Sequence, residues 1–255
     1  MTILKVDKLS KHFGGLVAVS NFNIEIDEGE LVALIGPNGA GKTTIFNMVT
    51  GLYKPTEGRV RLDGKDITAM RPDKITALGI ARTFQNIRLF SHLSVLDNVR
   101  VGYHLHLQSS PFAATLGLPG YSKEEEEITQ KSLQLLETVE LADVAQEQAG
   151  GLPYGLQRKL EIARALATEP NLLLLDEPAA GINPGEIHEL MDFILRIMED
   201  FDLTVFLIEH QMRLVMGMCP RILVLDHGLT IAEGPPEEIQ NDPKVIEAYL
   251  GVEEE

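Results

Sequence analysis

Apolar and polar positions alternate at the start of the chain, and then the alternation stops. Residues 3–6 and the stretch Val17 to Ile26, where Val17 and Val19 and then Phe22, Ile24 and Ile26 fall on alternate positions, predict strands of an antiparallel layer. Leu31 to Ile35 is apolar throughout, as a strand buried on both faces would be. It runs through Gly36-Pro-Asn-Gly-Ala-Gly41 into a helical pattern from Lys42 to about Thr50. Leu172 to Leu175 and Thr204 to Ile208 are two more continuous apolar strands, each beside a predicted helix, Gly185 to Met198 and Gln211 to Met218. Such βα alternation predicts a parallel sheet. Arg221 to Leu225, Asp226-His227-Gly228 and Thr230-Ile-Ala232 predict a hairpin that closes the sheet edge.

Between about Ser94 and Gln148 no comparable strand occurs. The run Glu124 to Glu127 leads into a helical pattern at Leu133, Leu135, Leu136, Val139 and Leu141, and residues 108–121, rich in Gly, Pro and small side chains, predict an exposed connection. The expected organisation is an α/β core, residues 1–93 and 149–255, with a mixed, largely parallel sheet and an N-terminal antiparallel layer. A helical subdomain, 94–148, interrupts it.

Composition narrows the function. With 255 residues, 44% of them hydrophobic and 24% charged, the chain can bury a sizeable core. Lys plus Arg total 22 against 38 Asp plus Glu, a net charge of -16 that repels phosphate backbones, so no nucleic-acid partner is expected. One cysteine, Cys219, forms no intramolecular disulfide and fits a reducing cytoplasm. Charges at Lys5, Asp7 and Lys8 interrupt what a secretory signal would need, and no apolar run reaches the length of a bilayer span.

Gly36-Pro37-Asn38-Gly39-Ala40-Gly41-Lys42-Thr43 matches G-x-x-x-x-G-K-[ST] in full, in the strand–loop–helix setting that pattern requires. The glycines let successive N–H groups turn to one centre, the helix N-terminus adds partial positive charge, and Lys42 supplies a full charge for the β and γ phosphates. ATP or GTP binding follows, with the Thr43 hydroxyl on Mg²⁺ and Thr44 completing the phosphate-binding set.

Asp176 and Glu177 end the strand at Leu172. Alone, such a pair is more often a solvated strand end; beside a phosphate loop, Asp176 can hold Mg²⁺ through water, and Glu177 can orient and deprotonate the attacking water. His210 follows Phe206-Leu-Ile-Glu209, where an imidazole can donate to the transferring phosphoryl oxygens, although a lone His there is usually structural. The six other histidines read as surface or packing residues. Gln85, after Ile80-Ala-Arg-Thr-Phe84, can touch Mg²⁺ or the water, a weak signal by spacing alone.

In this order these pieces resemble the ATP-binding cassette family across nearly the whole chain, with Leu152-Pro-Tyr-Gly155-Leu-Gln157 at the signature position. The resemblance implies a P-loop ATPase with a RecA-like core. It makes Phe13 the aromatic that stacks on adenine, against the alternative of a packed strand residue. It also makes Gln85 the γ-phosphate-sensing hinge, Glu177 the general base and His210 the γ-phosphate switch. Two cassettes then sandwich two ATPs, each site combining one phosphate loop with the partner's Tyr154-Gly155 segment, where a helix beginning near Leu156 aims its N-terminus at the nucleotide.

Two departures stand out. The family's Leu-Ser-Gly-Gly-Gln becomes Leu152-Pro153-Tyr154-Gly155-Leu156, which removes the serine hydroxyl and its backbone donor, and Asn183 stands where most cassettes have Asp. Residues 82–90, 152–166, 176–184 and 208–216 look like the cassette of branched-chain amino-acid importers, although Gln211 stands where that group usually has Asp. The implied partners are a second cassette, related or identical, two integral membrane permease subunits and, indirectly, an extracytoplasmic amino-acid-binding protein. The implied place is the cytoplasmic face of the inner membrane. Ile87, Leu89, Phe90, Leu93, Val95 and Leu96 line the expected permease groove or pack the subdomain core. A urea or short-chain amide importer, an exporter, and a soluble cassette working on DNA or ribosomes remain the alternatives, as does a regulatory module without turnover.

Overall fold

The computed structural model describes residues 1–107 and 119–250. Contacts divide the chain into two units, Met1–Arg82 with Asn171–Glu255, and Thr83–Pro170.

In the first unit, β1 (Thr2–Phe13) and β2 (Leu16–Asp27) meet at Gly14 and Gly15 and pair antiparallel, placing Leu4 opposite Ile26 and Val6 opposite Ile24. Leu4, Val6, Ile24 and Ile26 are buried, so the period-two pattern faces the core. Two strands not evident in the sequence complete this sheet, β4 (Glu57–Leu62) and β5 (Lys65–Asp66), in the order β2-β1-β4-β5. β3 (Leu31–Ile35) belongs to the other sheet, and all five of its residues are buried. It runs parallel to β8 (Thr204–Ile208) and β9 (Arg221–Asp226); β7 (Leu172–Asp176) and the short β6 (Ile80–Arg82) extend the parallel set, and β10 (Leu229–Gly234) closes the edge antiparallel. Between the two sheets lies α1 (Lys42–Val49), whose Phe46 ring is 5.0 Å from that of Phe206. α2 (Pro72–Thr76) is a short further turn of helix.

The second unit is helical, as expected, but its limits are wider than 94–148. Ser94 caps α3 (Val95–Tyr103) by accepting from the Asp97 N–H at 3.0 Å. α4 (Pro119–Thr138) takes up the end of the expected connection; the rest, 108–118, lies outside the described residues. α5 (Tyr154–Leu166) packs on α3 so closely that a Cβ on Gly102 would lie 2.6 Å from the Arg164 carbonyl oxygen. That contact holds the signature helix in this unit. Within the glutamate run Glu125 accepts from Arg100 and is about four-fifths buried. Val95 is core, whereas Phe90 and Leu93 are exposed, and Ile87, Leu89 and Leu96 are half-buried. The terminal glutamates, 253–255, lie outside the described residues.

Two helices and the C-terminal pair close the first unit: α6 (Ile187–Asp200), α7 (Met212–Met218), α8 (Pro236–Asn241) and α9 (Pro243–Leu250). Among the described residues no helix is long and apolar enough to cross a membrane.

Candidate functional site

The strand β3 ends at Ile35 and the chain turns through left-handed backbone at Gly36, Gly39 and Gly41 (φ 149°, 80° and 106°) before entering α1. Two of these glycines are also required by space. A Cβ on Gly36 would lie 2.0 Å from the Leu225 carbonyl oxygen, and one on Gly41 2.5 Å from that of Ala18. The Gly228 N–H donates to the Ala40 carbonyl at 2.8 Å and ties the loop to the β9–β10 turn. Pro37 is half-buried and Asn38 exposed. A cavity of about 620 Å³ flanks residues 37–40 on the side of α9, with Lys244, Glu247 and His227 in its wall.

Lys42 is nearly fully buried, and its Nζ donates to the Gly36 and Pro37 carbonyls at 2.7 and 3.0 Å. Burial pushes its pKa down, while Glu177 and Asp176 act in the opposite direction. An ammonium has three donors, and these carbonyls use two. Thr43 is exposed and Thr44 half-buried in the first turn of α1.

Asp176, buried at the end of β7, accepts from Arg82 Nη2 at 2.6 Å. Arg82 also donates to Asn47 Oδ1 at 2.7 Å and lies over the Phe46 ring. No sequence pattern marks this arginine, whose partners are 35 and 94 residues away. Glu177 adopts φ 49°, a strained value for a non-glycine residue, and its N–H donates to the Ile208 carbonyl at 2.9 Å. Its Oε2 is 3.5 Å from Nδ1 of the half-exposed His210. Lys42, Asp176, Glu177 and His210 thus come together at one end of the parallel strands.

Phe13, at the end of β1, is 43% exposed; its ring meets Tyr53 edge-on, centroids 5.5 Å apart, with Lys11 Nζ 5.0 Å from its centre. Tyr53 lies in an irregular stretch after α1, where no periodicity marks it.

In the second unit α5 begins at Tyr154, two residues before Leu156, so Tyr154 and Gly155 form its first turn. Pro153 provides no side-chain cap. Arg158, fully buried, donates to the Phe84 carbonyl (2.8 Å), the Gln85 carbonyl (2.9 Å), Glu161 Oε2 (2.7 Å) and the Tyr154 hydroxyl (3.3 Å). Burial raises the Glu161 pKa, with the Arg88 N–H and Arg158 opposing it. The Gln85 side chain is exposed, and Asn183, in the first unit, is exposed and donates to Glu186.

The loop fits a polyphosphate: three glycines turn the backbone through left-handed φ into the start of α1, where a buried lysine precedes an exposed threonine. Among the described residues no three His, Cys, Asp or Glu converge on a metal. The Thr43 hydroxyl and the Asp176 carboxylate are oxygen donors of the kind that suits Mg²⁺.

Comparison with known proteins agrees with this fold. Residues 19–180 match the ABC transporter family, and residues 230–255 match a family described as branched-chain amino acid ATP-binding cassette transporter. The chain is 45% identical over 249 residues, 98% of each chain, to the high-affinity branched-chain amino acid transport ATP-binding protein BraF of Pseudomonas aeruginosa. LivG of Escherichia coli, of the same description, is equally similar, at 45% over 98% of each chain. Among solved structures, the ADP conformation of MJ1267, an ATP-binding cassette of an ABC transporter, superposes with a TM-score of 0.86 at 34% identity, covering 98% of this chain and 99% of that one. The chain belongs to the ABC transporter family and is an ATP-hydrolysing cassette of that family.

Proposed function

We propose that the chain powers import of branched-chain, hydrophobic amino acids. The observation that carries this reading is full-length identity of 45% to cassettes of that description, with the C-terminal segment 230–255 matching the corresponding family.

In this reading Gly36 to Thr44 hold the triphosphate, Lys42 contacts its outer phosphates, and Phe13 with Tyr53 receives adenine. Mg²⁺, held by Thr43 and Asp176, neutralises phosphate charge when bound. Glu177 orients the attacking water and takes its proton, and His210 donates to the transferring oxygens. Tyr154 and Gly155 serve the ATP of a second cassette, whose closing on ATP and parting after hydrolysis drive two membrane subunits, supplied from outside by a binding protein. The chain then works at the cytoplasmic face of the membrane.

Affinity purification of the tagged chain from its host in mild detergent tests the reading. Recovery of two hydrophobic subunits and a second cassette, with ATPase activity stimulated by leucine-, isoleucine- or valine-loaded binding protein, is the expected result. Recovery of soluble partners or ribosomes alone, or stimulation only by a urea- or amide-loaded protein, overturns it.

A further inference from the structure

Glu209, between the end of β8 and His210, has no role in the chemistry above, yet its side chain is fully buried. It accepts from three backbone N–H groups on two segments: Ala179 to Oε1 at 2.8 Å, and His210 and Gln211 to Oε2 at 3.0 and 3.2 Å. Gln211 Nε2 returns a bond to the Ala179 carbonyl at 3.2 Å. Ala179 lies two residues after Glu177. The loop that carries the base is therefore joined to the loop that carries the histidine through one carboxylate and one amide.

A carboxylate suits this place better than any neutral side chain. Its two oxygens accept all three N–H groups, whereas glutamine has a single acceptor oxygen and an amide that would face donors. Desolvation pushes the Glu209 carboxyl above the usual carboxylate range, and the three N–H groups and His210 act against it. The strained backbone of Glu177, φ 49°, needs surroundings that over-determine it. The Ile208 carbonyl holds Glu177 from the strand side at 2.9 Å, and Glu209 holds the same loop two residues on.

We propose that Glu209 is a positioning residue for ATP hydrolysis: it fastens the Glu177 loop to the His210 loop and so sets the 3.5 Å approach of base and histidine. This rests on the assignment of Glu177 and His210 given above. Because the hydrogen bonds of Glu209 run to the Ala179, His210 and Gln211 backbone, its loss falls on turnover and not on nucleotide binding.

The test compares Glu209→Gln, Gln211→Ala and Glu177→Gln with the unmodified full chain, reading kcat and KM for ATP, affinity for a fluorescent ATP analogue, and Tm. The expected result is a fall in kcat of about 10- to 100-fold for Glu209→Gln, the scale of loss from small misplacement of catalytic groups, with analogue affinity within about twofold. Gln211→Ala, which alters no buried charge, lowers kcat by a smaller factor in the same direction and keeps the positioning claim testable should Glu209→Gln fail to fold. Wild-type kcat in the folded Glu209→Gln chain, or in Gln211→Ala where only that variant folds, overturns the proposal while an inactive Glu177→Gln leaves the catalytic assignment standing. Losses of kcat, affinity and Tm in parallel assign Glu209 a merely structural role and also overturn it. Wild-type turnover in Glu177→Gln removes the catalytic assignment on which the proposal rests.

Discussion

Arg82 Nη2 donates to Asp176 Oδ2 across 2.6 Å, and the two side chains are only 5% and 3% exposed. The same guanidinium reaches Asn47 in α1, so β6, β7 and the helix behind the phosphate loop share one buried charge pair. Removing one member strands the other in a low dielectric. Arg82→Met is expected to lower folding stability by about 3–5 kcal/mol, and the double change Arg82→Met with Asp176→Leu to recover most of it. Urea unfolding of both variants checks this; an unchanged midpoint in the single variant refutes it.

Glu177→Gln keeps the shape of the side chain and its backbone anchor to Ile208 but removes the proposed base. Nucleotide affinity is expected to stay within a few-fold while turnover falls by roughly two or more decades. Phosphate release measured beside nucleotide titration separates the two quantities.

The phosphate-loop glycines are not equivalent. Gly36→Ala drives a Cβ into the Leu225 carbonyl, 2.0 Å away, so the loop must move and nucleotide affinity is expected to drop by at least about tenfold. At Gly39, where a Cβ meets nothing within 4 Å, Gly39→Ala carries only the left-handed backbone penalty of about 1–2 kcal/mol. Fluorescent-nucleotide titration of the two variants should rank Gly36→Ala as the weaker binder, and the reverse order would show that the contact with Leu225 is unimportant.

Burial, with a smaller push from Glu209, raises the Cys219 thiol to about 12. At pH 8 the folded chain therefore holds the thiol protonated, and the thiolate that reacts with disulfide reagents is scarce. Native protein is expected to give no fast reaction with such a reagent, and denatured protein one equivalent, as the chain has one cysteine. A full equivalent from native protein would contradict the burial.

Much of this site could be read without coordinates because it is contiguous. Gly36 to Thr43 is one segment between a continuous apolar strand and a helix, and Asp176-Glu177 and His210 each follow an apolar run of the same kind. Tyr53, Arg82, Arg158 and Glu209 could not be recognised in that way. None belongs to a periodic pattern, and each takes its meaning from groups that are distant in sequence or from backbone atoms that no residue pattern displays.

The same division applies to the fold. Period-two alternation and unbroken apolar runs, both local consequences of which faces must leave water, determined β1, β2, β3, β7 and β8 and the helical character of the middle of the chain. The three-residue β6 is too short to show a period and exists because Ile80 to Arg82 pair with Leu172 to Leu174. The close passage of α3 over α5 at Gly102, which draws the signature helix into the second unit, likewise depended on packing between remote segments. Sequence alone determined the phosphate loop, the strand-end carboxylates and the histidine; the buried Arg82–Asp176 pair and the carboxylate joining the Glu177 and His210 loops were decided by the tertiary structure, because a buried charge is tolerable only where chain folding supplies its partners.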